Sequence, residues 1–276
     1  QVRNYLDFSD AYFDEDSYLA SVNVAHNLAS LYFRAFDEPF VEEIKSYAVN
    51  YFRKILSNLG WEPKKSDKHT DALLRTFAIA VLGKMNDEIV TDEAIKKYKK
   101  FLKSPRSLSP DLIETICSIA AWNGNSKTFA ELKKLYTNAK TMEEKLRFLG
   151  AMCGFQDKKL LVKTLDFSQT SAVRSQNMQL PIMKIAGNPY GDKVLWPWLK
   201  KNWKKINKKV GHGNPLFNRI VASITGVADD SMEKEIKLFF KNNPTPGTER
   251  TQSQTLERIR INSKFLRTMR KEFKNG

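Results

Sequence analysis

The sequence predicts an all-α fold, an α-solenoid of HEAT-like antiparallel helix pairs. Three observations carry that prediction. Apolar residues recur at spacings of three and four along nearly the whole chain, and no segment shows the alternation of a half-buried strand. Most periodic segments span only about 10–20 residues and are bounded by cap and turn residues. About twelve or thirteen of them follow one another through short connections, which favours a series of paired helices over a four-helix bundle. No strict repeat of about 33 or 34 residues is visible, so the array is read as degenerate.

The elements are read in chain order. Residues 17–36 place Leu19, Val22, His26, Ala29 and Phe33 on one stripe, and His26 is expected there as a satisfied core residue. Residues 39–59 carry Ile44, Tyr47, Tyr51 and Ile55 and stop at Gly60, a residue free to end a helix. Asp67 is expected to cap the next helix, which bears Leu73, Leu74, Phe77, Val81 and Leu82. Thr91-Asp-Glu93 is expected to open another, its acids favoured by the helix dipole. Ser109-Pro110, Asn188-Pro189 and Asn214-Pro215 each join a cap residue to a first-turn proline. Thr141 and Glu144 have the capping-box spacing. The last helix is expected over 248–273, with Leu256, Ile259, Leu266, Met269 and Phe273 inward.

The stretch 186–206 sets three tryptophans among five lysines. At 100° per residue, Leu195, Leu199, Trp203 and Ile206 share one arc, and Lys200, Lys201 and Lys204 fall opposite. The reading is a capped amphipathic helix with a solvated lysine face. Pro197 lies inside it and is expected to kink it.

The 276 residues carry a net charge of +15, with 41% hydrophobic and 28% charged residues, so the chain can bury a large core. Residues 1–50 hold three basic and nine acidic residues, so the rest carries +21. Such a surplus suits acidic partners without selecting one. No apolar run approaches the roughly 18–20 residues of a membrane span. Cys117 and Cys153 lie in apolar periodic segments and read as buried free thiols. With no glycosylation sequon present, they point to an intracellular, cytoplasmic setting.

The chemistry of an active site is missing. The three histidines, His26, His69 and His212, form no His-Glu-x-x-His and no ligand cluster, and His212 reads as a loop residue. There is no phosphate loop, no nucleophile elbow, and no activating neighbour beside either cysteine. Metal and catalytic residues are therefore expected to be none.

One ordered set of segments resembles a known family. It runs Asp71-Ala-Leu-Leu-Arg-Thr76, Asn123-Gly124, Glu144-Lys-Leu-Arg-Phe-Leu149, Val173-Arg-Ser-Gln176 and Ala186-Gly-Asn-Pro189. Trp196, Leu199-Lys-Lys-Asn-Trp203, Phe239-Phe240, Pro244-Thr-Pro-Gly247 and Leu256-Glu-Arg-Ile-Arg-Ile-Asn262 complete it. Together they resemble the C-terminal helical domain of aminopeptidase N-like zinc metallopeptidases. The likeness covers nearly the whole chain, from about residue 17 to 269.

The resemblance implies one C-terminal helical domain over 1–276, a bowl, with residues 1–16 a candidate linker from upstream domains. It implies a parent that removes N-terminal residues from peptides, with zinc and the catalytic motifs in a domain absent from this chain. The bowl would enclose the active-site cavity, restrict access and bind the peptide's far end. A peptide ends in a carboxylate, which an arginine can pair. Arg219, in Phe217-Asn-Arg-Ile220, aligns with a family arginine facing the pocket; Arg174 and Arg75 are further candidates. Partners would be peptide substrate and the parent's catalytic and N-terminal domains, with no nucleic acid. The alternative is a free-standing α-solenoid scaffold for peptides or proteins.

Overall fold

The computed structural model describes residues 2–12, 17–211, 214–226 and 229–274, so the reading of His212 lies outside the described residues. Fourteen α-helices are present among these, joined by short loops and 3-10 turns, and no strand. They are α1 Val2–Asp10, α2 Tyr18–Arg34, α3 Val41–Leu59, α4 His69–Lys84, α5 Glu88–Lys103, α6 Pro110–Trp122 and α7 Ser126–Asn138. Then follow α8 Met142–Ala151, α9 Lys158–Ser168, α10 Gln179–Ala186, α11 Asp192–Val210, α12 Pro215–Ser223, α13 Glu233–Asn242 and α14 Glu249–Lys274. The chain divides into two compact units, residues 1–120 with 266–276 and residues 121–265.

In the first unit α2 packs on α3, α3 on α4, and α4 on α5. Ile44, Ala48, Phe52, Ala78, Ile79 and Leu82 are fully buried at these seams. Gly60 ends α3 with φ 69°, a left-handed value that an L side chain resists. The stretch read as a linker contains α1, whose Val2 and Leu6 are buried. The backbone N–H groups of Val2 and Arg3 donate to the Glu272 carboxylate at 3.0 and 2.9 Å. Phe273 stacks on Phe40 with centroids 4.4 Å apart. First-turn N–H groups have no partner within their own helix, so a carboxylate from another helix satisfies them.

Three local expectations need correction. The buried face of α2 is Val24, Ala25, Leu28, Leu31 and Tyr32, with Ala29 of the expected stripe; Leu19 is 70% exposed. His26 is accordingly exposed, lying against the Phe77 ring at 4.4 Å rather than in the core. Two apolar stripes overlap on this helix, and the one carrying Leu28 and Tyr32 is buried. Asp67 does not cap α4. Asp71 accepts from the Lys68 N–H at 2.8 Å, whereas Asp67 accepts from Lys64 N–H and from Arg75. α5 begins before Thr91, because Asp87 caps it by accepting from Val90 N–H at 3.0 Å.

The second unit follows its sequence signals closely. Thr141 and Glu144 form the reciprocal capping box. Asn214 caps α12 through Leu216 N–H, and Asn188 opens a 3-10 turn that leads into α11. Helix α11 runs unbroken through Pro197, which is exposed. Its three tryptophans are buried and its outer lysines exposed, as the helical arc requires. Trp203 sits among Phe217, Phe239 and Phe240 at centroid distances of 5.0–5.6 Å. The indole N–H of Trp198 donates to Asp166 at 2.8 Å and that of Trp196 to Glu235 at 3.1 Å. A Cβ on Gly191 would fall on the Ile185 carbonyl at the end of α10, so only glycine fits there.

Charge is unequally shared between the units. Residues 121–265 hold 26 Lys/Arg against 12 Asp/Glu, or +14; the other unit holds 20 against 19, or +1.

Candidate functional site

The three candidate arginines occupy different environments. Arg75 lies in the first unit and is 1% exposed. Helix α4 points it at the end of α3, where its Nε donates to the Gly60 carbonyl at 2.9 Å. Its Nη2 donates to the Leu59 carbonyl at 3.1 Å and pairs with Asp67. The backbone N–H of Lys64 and then Arg75 hold the Asp67 carboxyl below its usual range, against some desolvation. This guanidinium fastens a helix terminus and is buried there.

Arg219 and Arg174 lie in the second unit and are both exposed. Arg219 rides on α12, whose Phe217, Ile220 and Val221 turn inward and leave it on the outer face. That helix packs on α10 and α11. Its register is further held by Asn218, which accepts from the Thr251 hydroxyl at 2.6 Å.

Arg174 follows the turn that leaves α9. Lys209, from the last turn of α11, donates to the carbonyls of Ser168, Thr170 and Val173 at 3.3, 3.2 and 3.5 Å. The Tyr136 hydroxyl donates to the Ala172 carbonyl at 2.9 Å. Two side chains from other helices thus fix the backbone that presents Arg174. Burial, then the neighbouring Lys205, lowers the Lys209 pKa; burial raises that of Tyr136, and the Arg174 charge opposes the rise. Arg174 and Arg219 both border α11, and Arg75 belongs to the other unit. Sequence reasoning missed Lys209 and Tyr136. Lys209 sits in a lysine run whose members look alike, and no motif singles out Tyr136.

The rest of the chemistry is quiet. Both cysteines are buried and neither forms a disulfide, and burial pushes the Cys117 thiol far up, away from reactivity. Among the described residues no group of three or more His, Cys, Asp or Glu side chains could hold a metal ion. Among them, no helix is long and apolar enough to cross a membrane.

Among the described residues the chain is all-helical, with exposed arginines and no metal cluster, and comparison with known proteins places it in a family. The family profile described as "ERAP1-like C-terminal domain" matches residues 1–261, and the chain belongs to that family. It is 28% identical to Aminopeptidase M1-D of Oryza sativa subsp. japonica over 264 residues, covering 94% of this chain and 30% of the relative. It is 26% identical to Aminopeptidase M1 of Arabidopsis thaliana over 241 residues, covering 86% and 27%. Against "Aminopeptidase 2, mitochondrial" of Saccharomyces cerevisiae it is 25% identical over 270 residues, covering 95% and 28%. The chain thus spans less than a third of the length of these relatives.

Proposed function

We propose that this chain is the non-catalytic C-terminal part of a zinc aminopeptidase that removes N-terminal residues from peptides. The observation that carries the reading is the family match over residues 1–261, together with relatives named as aminopeptidases that are more than three times as long as the matched segment. In this reading metal and hydrolysis belong to the remainder of the parent; among the described residues no group of three or more His, Cys, Asp or Glu is placed to hold a metal ion. The chain's part is to form a HEAT-like bowl that encloses the catalytic cavity, restricts access and holds the far end of the peptide. By itself it is inactive. Its partners are peptide and the parent's other domains, and two buried cysteines outside any disulfide suit a cytoplasmic setting.

Within this reading Arg219 pairs with the peptide's terminal carboxylate, and Arg174, on its fastened turn, is the second candidate. Both are exposed. A lost charged hydrogen bond corresponds to about a 10- to 100-fold weaker interaction. Arg219→Ala in the full enzyme is expected to reduce turnover of free-acid peptides by about that factor. Turnover of their C-terminal amides and the zinc content should hold. Equal effects on acid and amide would refute the assignment. Useful peptide affinity in the isolated chain would favour a free-standing scaffold instead.

A further inference from the structure

We propose that the outer face of α11 is an electrostatic docking rail for an anionic lipid bilayer. Lys193, Lys201, Lys204, Lys205 and Lys208 are all exposed and lie within about a 120° arc at 100° per residue. They extend over about 22 Å at 1.5 Å per residue. No ion pair or side-chain hydrogen bond to another described residue engages any of the five. Some other cations of the same unit are matched: Arg147 with Glu143, and Arg260 and Lys237 with Glu233.

Two carboxylates that reach α11 from other helices bond side chains outside the rail. Asp166 accepts from the Trp198 indole, and Glu235 from the Trp196 indole and from Lys200. Lys209 is turned onto backbone carbonyls. Like charges three and four residues apart destabilise a helix. This helix tolerates them because Leu195, Trp198, Leu199, Trp203 and Ile206 bury its inner face. The outcome is a rigid row of like charges in the unit that carries +14.

The geometry selects the kind of polyanion. Single-stranded nucleic acid is held by exposed aromatic platforms, and the tryptophans of α11 are buried. An acidic peptide bound in register requires a groove, whereas the rail is the convex side of one helix. Lysines act as point charges that need no fixed partner, and each one near an anionic bilayer strengthens binding about fivefold.

The test is co-sedimentation of the whole chain with phosphatidylcholine vesicles containing about one-third phosphatidylserine. Substituting Lys201, Lys204, Lys205 and Lys208 by Gln is expected to weaken binding more than about a hundredfold. The same change at Lys96, Lys99, Lys100 and Lys103 of α5 removes equal charge from the other unit. It is expected to weaken binding less than about tenfold. Circular dichroism establishes that both variants fold. Absence of vesicle binding by the parent chain, equal loss in both variants, or tighter binding to duplex DNA or polyglutamate than to vesicles would each overturn the proposal.

Discussion

Replacing Arg75 by Met separates a fastener from a ligand-binding arginine. The substitution keeps most of the buried stem and removes the guanidinium. The Leu59 and Gly60 carbonyls then lose their donor at a site where Arg75 is 1% exposed. Each orphaned buried acceptor costs about 1–3 kcal/mol, so the pair is worth about 3 kcal/mol after partial access of water. Asp67 adds little to that figure because its carboxylate reaches solvent. Native-state hydrogen exchange reads the effect locally. Amides of α3 and α4 should exchange about a hundredfold faster, and those of α7 to α13 should hold. Arg75→Lys keeps a charge without the fork and should fall between. The Asp67 pKa is depressed in the folded state. The stability linked to it is therefore fully present above the unfolded carboxylate value, near 3.9, and is lost as pH falls through the folded value. Unchanged protection in Arg75→Met, with altered peptide handling in the parent enzyme, would refute the fastener.

Three further outcomes follow from the packing of the second unit. Trp203→Ala should cost about 3–5 kcal/mol in denaturant unfolding, because it empties the space among three phenylalanines. Trp203→Phe should cost less than half of that, since the indole nitrogen has no hydrogen-bond partner among the described residues; equal costs would refute the packing. Gly191→Ala forces a methyl onto the Ile185 carbonyl and should cost about 3 kcal/mol, visible as a lowered Tm. Arg260 and Lys237 hold the Glu233 carboxyl at about 2, so its contribution to stability is complete above the unfolded value near 4.3 and lost as pH falls towards 2. A carboxyl NMR titration of Glu233 should show that midpoint and an upward move in Arg260→Gln.

Helix identity was legible wherever cap chemistry was local. Ser109-Pro110, the Thr141–Glu144 box and Asn214-Pro215 open helices where they stand in the sequence. The arc of α11 was legible because its polar and apolar sides differ so sharply. The face of α2 was not, since alanines and aromatics give it two overlapping stripes and only its neighbours decide between them. The start of α5 was hidden because Asp87 and Asp92 both have cap chemistry. The candidate site was legible as residue types only. Residue type alone does not separate Arg75, folded into a helix terminus, from Arg219 on an open face. Nor does a lysine run reveal that Lys209 alone turns inward.

The carboxylate of Glu272 that caps α1 joins positions separated by 270 residues. It has a consequence for the order of assembly. The second unit is continuous in sequence, whereas the first is completed by residues 266–276. On the ribosome, where chains emerge from their N-terminus, the unit begun first can be finished only last. Its first helix waits, uncapped, until the whole of the other unit has been made. The long loop this clasp closes is a slow, late contact of high sequence separation. A nascent chain halted before Glu272 should therefore hold a finished second unit and an unfinished first.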